Sequence, residues 1–198
     1  MSTRPTLILA STSRYRRELL ERLRLPFEVH APDVDETPRP GEPPAALAQR
    51  LALAKAQAVS VRFPEAVVIG SDQVADLDGT PVGKPGAHEL AVAQLRAMRG
   101  RSVVFQTAVA VIRASTGYVG AALAPVTVRF RALNDAEIER YLTTEKPYDC
   151  AGSAKAEALG IALLETIDSD DPTALIGLPL IRTCVLLRAA GIDPLSPA

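Results

Sequence analysis

Ser11 and Ser13 follow an apolar run that ends at Ala10, and Arg14, Arg16 and Arg17 come immediately after them. Hydroxyl and backbone N–H donors beside guanidinium forks suit phosphate oxygens. Cations at the start of a helix oppose its macrodipole, and a bound anion relieves that repulsion. The plainer reading of the same residues is a solvated basic helix start. A second group, Asp33, Asp35 and Glu36, crowds carboxylates into the stretch PDVDETP. Such a cluster can bind magnesium, which takes oxygen ligands and keeps waters and substrate phosphates in its shell, or it can be a solvated loop. Asp72, in GSDQV, ends an apolar run. There an α/β fold opens its ligand crevice, and an acid can orient or deprotonate a water. A turn-capping aspartate is the structural alternative.

Two lysines complete the set. Lys55 interrupts a stretch otherwise rich in Ala and Leu, and Lys84 lies in GKP. Each can neutralise phosphate charge, and each can equally sit on the surface. GKP lacks the upstream glycine and the following Ser or Thr of a P-loop, which argues against a P-loop ATPase.

The elements that must position these residues follow from hydrophobic period and turn chemistry. Thr6–Ala10 reads as a strand, followed by a polar loop and a helix carrying Leu19, Leu20 and Leu23. Phe27–His30 reads as a second strand, and Pro32–Pro44, with five prolines, as a stiff extended loop. Ala45–Val61 has helical period and good helix formers, stopped by Pro64. Ala66–Ile69 reads as a buried strand closed by Gly70, Ser71 and Asp72; Val74–Leu77 and Thr80–Val82 then form a hairpin about Asp78-Gly79. Glu89–Met98 is a helix ended by Gly100, and Val103–Ile112 pairs with Val119–Phe130 across Ser115-Thr116-Gly117. Asn134, with Glu137 three residues on, caps a helix through Leu142. Leu159–Leu164 reads as a strand and Leu178–Ala190 as a closing helix. Strands alternating with helices around a central hairpin predict one domain, bilobed, spanning residues 1–198 and built on a mixed α/β sheet.

Composition excludes several classes. The 198 residues are 47% hydrophobic and 23% charged, with a net charge of -1, which disfavours disorder and a role in coating a nucleic acid polymer. No apolar run approaches the roughly 20 residues that span a bilayer, so no membrane association is expected. Met1–Pro5 is too brief and polar for a secretory signal, which predicts a cytoplasmic protein. Cys150 and Cys184 lack CxxC spacing and have only His30 and His88 to help them, which disfavours a zinc site or a disulfide framework. The near-neutral total still conceals a local excess: up to Arg24 there are six arginines against Glu18 and Glu21. A local basic pocket fits within that balance.

The pieces LILASTSRYRRELLERL, APDVDETP, LALAKAQAV, VIGSDQV, GKP, CAGSAKAEALGI and TALIGLPL, in this order, resemble the Maf family of nucleoside triphosphate pyrophosphatases over nearly the whole chain. The resemblance implies an α/β fold of the Maf/ITPase-like kind, an elongated mixed sheet flanked by helices, with two lobes around a nucleotide cleft. It also implies hydrolysis of a nucleoside triphosphate to the monophosphate and pyrophosphate with a divalent metal, Mg2+ or Mn2+. On that resemblance Asp72 is the catalytic acid that activates water and a metal ligand with Glu36, while Ser11, Arg16, Arg17, Lys55 and Lys84 hold the triphosphate. Arg14 departs from the family pattern, which has proline there.

Tyr15, Gln73 and Glu157 resemble the branch of the family acting on 7-methyl-GTP rather than the branch acting on dTTP and UTP. N7-methylation makes guanine cationic, so an aromatic face at Tyr15 gains a cation–π attraction of roughly 0.5–2 kcal/mol. Glu157 can accept hydrogen bonds from the guanine N1–H and exocyclic amine. The rivals are a dTTP/UTP pyrophosphatase of the same family and a nucleotide-sensing regulator of cell division that binds without turnover. The expected partner is a small nucleotide; a homodimer is compatible with the chain and not specified by it.

Overall fold

In the computed structural model, which describes residues 4–196, seven strands form one open mixed sheet and five α-helices cover it. The segment Met1–Pro5 therefore lies partly outside the described residues. In chain order, β1 (Leu7–Ala10) leads to α1 (Arg14–Glu21), β2 (Glu28–His30), α2 (Pro44–Ser60), β3 (Val67–Leu77) and β4 (Thr80–Val82). Then come α3 (His88–Met98), the long pair β5 (Ser102–Arg113) and β6 (Tyr118–Phe130), α4 (Asp135–Glu145), β7 (Leu164–Asp168) and α5 (Leu180–Ala189). Spatially the strands run β2-β1-β3-β5-β6-β7, with β4 also on β3. β1 pairs in parallel with β2 and β3, and the remaining pairings are antiparallel.

Period and caps explain the helices. Leu47, Ala48, Leu51, Ala52, Ala56 and Val59 form the buried stripe of α2, and Pro44 occupies its first turn, where a missing N–H costs nothing. That stripe packs with Ile8, Val68 and Ala110 on one face of the sheet. Leu19 and Leu20 of α1 and Leu187 of α5 cover Leu9, Ile69 and Val109 on the other face. α3 and α4 enclose a further core around Phe105, Phe130 and Leu142. The Asn134–Glu137 capping box forms as its spacing predicts. Among the described residues no helix is long and apolar enough to cross a membrane.

Two sequence expectations are corrected. Gly70, Ser71 and Asp72 do not close a strand: β3 runs unbroken for 11 residues from Val67 to Leu77. Gly70 is needed for close approach, because a Cβ there would run into the Ala52 carbonyl and lie 2.5 Å from the Ala56 nitrogen of α2. Leu159–Leu164 is not a strand either; Leu159–Leu163 is a 3-10 turn and the strand starts at Leu164. Its amides bond locally, with Ile161 N–H donating to Ala158 O, and Gly160 abuts the Lys155 backbone, so the segment coils before it can join β6. Gly70→Ala should push α2 off the sheet at a cost of about 1–3 kcal/mol, the usual range for overpacking. A lowered midpoint in urea with an unchanged slope would register it.

Candidate active site

The pairing of β3 leaves a notch in the sheet. One edge of β3 pairs with β5 from Val68 to Asp76, so β1 and β4 share the other edge. β1 stops at Gly70, and β4 begins at Ala75. Ser71–Val74 therefore face neither strand, and Asp72 sits in the gap, mid-strand yet just beyond the carboxyl end of parallel β1. A crevice at the carboxyl ends of parallel strands is the usual ligand position in open α/β sheets.

Alternation along β3 sends neighbouring residues to opposite faces. Asp72 points to the α2 face, where its Oδ1 accepts a hydrogen bond from Lys55 Nζ at 2.7 Å. Lys55 falls on the buried stripe of α2, and its side chain is 6% exposed. Glu36, from the proline-rich loop, places Oε1 2.7 Å from the same nitrogen. Gln73 points the other way. Its amide nitrogen lies 2.9 Å from the carbonyls of Ala174 and Leu175 and from the Thr107 hydroxyl. Ser71 bonds Gly177 O at 3.0 Å, and so does Arg16 Nε at 2.9 Å. The turn at residues 174–177 is thus fixed to β3 and α1 together.

These residues surround a cavity of about 430 Å³, with an adjoining recess of about 280 Å³ that contains Asp72. Ser11, Arg16, Glu36, Lys55 and Lys84 line its basic end, where the N-terminus of α1 opens. Ser13 caps that helix by accepting Arg16 N–H at 3.4 Å, and Ser11 Oγ accepts Ser13 N–H at 3.1 Å. Tyr15, Gln73 and Glu157 line the cavity with Asp149 and Cys150. The Tyr15 hydroxyl is 3.4 Å from both Asp149 carboxylate oxygens, and the Arg14 guanidinium carbon lies 4.7 Å from its ring centre.

Of the residues that the resemblance assigns to the site, Arg17 stands outside both hollows: it is exposed and donates to Glu21 at 3.1 Å. One residue along a helix turns a side chain by about 100°, which separates Arg17 from Arg16. Asp33 and Asp35 also lie apart from the lining, with Asp35 accepting Thr37 N–H at 2.9 Å. Sequence reasoning missed Asp149 and the buried Asp171. The Asp171 carboxylate accepts Arg182 N–H at 3.0 Å and lies 3.1 Å from the Thr173 hydroxyl, holding α5 to the turn. Asp171 lies just before the motif TALIGLPL, and no local pattern marks it.

Charges shape the cavity. Burial pulls the Arg16 pKa down, and Asp72 and Glu36 oppose that pull. At Glu36 burial raises the pKa, but the bond to Lys55 and the fields of Lys55, Lys84 and Arg16 outweigh it and hold the carboxyl below its ordinary value. A depressed carboxylate contributes stability that is present above the unfolded-state pKa and is lost as pH falls through the folded one. The loss therefore falls below about pH 5. Glu36→Gln should flatten that acid limb, measured by denaturant titration at successive pH values. Desolvation against the cavity wall raises the Glu157 pKa, Lys155 opposes the rise, and Glu145 and Glu18 add to it. Burial likewise pushes the Cys150 thiol up to about 11, which makes it a poor nucleophile at neutral pH.

A divalent cation is tested by the donor set. Among the described residues no group of three or more His, Cys, Asp or Glu converges. Two hard carboxylates do, because Glu36 and Asp72 both reach Lys55 Nζ. Two carboxylates completed by waters and substrate phosphates are a normal set for magnesium, so the residues fit such an ion.

The fold and this cavity define a class, an α/β protein with an acid and a basic cluster at a strand-end crevice. A family model described as Maf-like protein matches residues 6–190. The chain is 70% identical over 191 residues to the 7-methyl-GTP pyrophosphatase of Polaromonas sp., covering 96% of this chain and 87% of that one. It is 67% identical over 189 residues to the 7-methyl-GTP pyrophosphatase of Albidiferax ferrireducens, covering 96% and 95%. Among solved structures, a HAM1 protein from Coxiella burnetii aligns with a TM-score of 0.46 and 15% identity over 65% of this chain and 74% of that one. The chain belongs to the Maf family.

Proposed function

We propose that this chain hydrolyses 7-methyl-GTP to 7-methyl-GMP and pyrophosphate, clearing a modified nucleotide from the pool. The reading rests above all on one observation: Asp72 and Glu36 share a buried lysine in the notch beside Arg16 and Lys84. The names of its relatives agree with it. Asp72 orients the attacking water and takes its proton. The water oxygen bonds to the α-phosphorus, and the bond to the oxygen bridging α and β breaks, so the electron pair leaves with pyrophosphate. Arg16, Lys55 and Lys84 balance the charge that develops on the leaving group, with the Ser11 hydroxyl and the α1 N-terminus as further donors. Glu36 and Asp72 would hold a divalent cation, Mg2+ or Mn2+. Such an ion polarises phosphoryl oxygens and lowers the pKa of a bound water.

At the other end of the cavity, Glu157 accepts from the guanine N1–H and amine, and the Tyr15 ring supports the base. Gln73 acts as a positioning residue by pinning the 174–177 turn. Arg17 keeps at most a long-range electrostatic role, given its bond to Glu21. The test is pyrophosphate release from 7-methyl-GTP, GTP, dTTP and UTP under one metal condition. The expected kcat/KM is highest for 7-methyl-GTP. A strong preference for a pyrimidine would assign the chain to dTTP and UTP, and tight binding without monophosphate formation would make it a sensor.

A further inference from the structure

Hydrogen bonds to Glu157 separate guanine from pyrimidines, but GTP and 7-methyl-GTP present the same N1–H and amine. The two bases differ by a methyl group and by a positive charge spread over the methylated ring. On the 7-methyl-GTP reading, on which this inference rests, charge is therefore the handle for telling them apart. The charged side chains around Tyr15 are unevenly placed. Asp149 touches the Tyr15 hydroxyl with both carboxylate oxygens at 3.4 Å. Arg14 donates to the same hydroxyl at 2.7 Å, lies 4.7 Å from the ring centre and is 4.0 Å from Asp149. Lys155 is farther, 5.9 Å from the ring centre, and its charge is taken up by Glu145 at 2.6 Å. Arg14 and Asp149 both line the cavity, while Lys155 does not.

We propose that Asp149 and Arg14 set the preference for the cationic over the neutral guanine, acting with opposite signs. The Asp149 carboxylate, beside the aromatic support, attracts a positive base and is indifferent to a neutral one. The Arg14 guanidinium occupies the place over the Tyr15 ring where a cationic base gains most, and repels such a base from it. Displacing Arg14 from the ring costs the same for either base, so its selective effect is this repulsion alone. Loop residue Asp149, 4.0 Å from the Arg14 guanidinium, offsets that cation.

The experiment measures the ratio of kcat/KM for 7-methyl-GTP to that for GTP, a quantity independent of the folded fraction. Asp149→Asn should lower the ratio about fivefold, equivalent to about 1 kcal/mol, the interaction of two unit charges about 4 Å apart in a water-like medium. Arg14→Gln should raise it by a similar factor, and the double variant should return to within about twofold of the parent, with both single shifts shrinking in high salt. Any pattern other than opposite shifts in the two single variants overturns the inference. A parent protein that does not turn over 7-methyl-GTP overturns instead the reading beneath it.

Discussion

Asp72→Asn should fold normally and lose turnover by about 10²- to 10⁴-fold, the range general-base groups contribute. Asparagine keeps the shape and leaves an amide oxygen to accept from Lys55, whose bond to Asp72 is 2.7 Å. The notch therefore keeps its packing while losing the group proposed to accept the water's proton. The loss should fall on kcat rather than KM, since the residues assigned to the leaving phosphates are untouched. Pyrophosphate release at saturating 7-methyl-GTP, with a thermal melt as the check on folding, measures both parts. Normal release by the variant would remove Asp72 from the proposed step.

Lys55→Met should damage stability and activity together. Methionine matches the length of the aliphatic stem but leaves Asp72 and Glu36 facing one another without the ammonium they share. Removing one partner of a buried ion pair costs about 3–5 kcal/mol. Glu36 is 57% exposed, so water softens its share and the lower end, about 3 kcal/mol, applies. For a chain of this size that lowers Tm by about 6–12 °C. Turnover should fall about a hundredfold or more, as when a donor to developing charge is removed. Added magnesium should raise the Tm of the variant more than that of the parent, because the two carboxylates lack a competing ammonium. An unchanged Tm would mean that Lys55 is not what holds the carboxylates together.

The sequence picked out most residues that line this cavity, but not how they are arranged. Lys55 was conspicuous as a charge on an Ala- and Leu-rich stripe, and a buried lysine needs an anionic partner. Asp72 was conspicuous after an apolar run, although GSD suggested a strand end when the strand in fact continues. Glycine commonly marks a turn, and here the close passage of α2 over Gly70 is the reason for it. The notch was not legible, because it depends on β1 and β4 sharing one edge of β3, a long-range pairing that no local pattern encodes. The phase of α1 was similarly hidden. Three arginines within four residues look equivalent in sequence, and only a helix starting at Arg14 aims Arg16 at Gly177 and Arg17 at Glu21. Asp149 gave no signal because it lies 134 residues from Tyr15 and meets it only across the cavity.

The most direct test of the central claim is to let the protein consume 7-methyl-GTP in heavy-oxygen water with a divalent cation, and to weigh the products. Attack by water on the α-phosphorus predicts 7-methyl-GMP carrying the heavy oxygen, together with unlabelled pyrophosphate. Label in the pyrophosphate, or release of orthophosphate with 7-methyl-GDP, would contradict it.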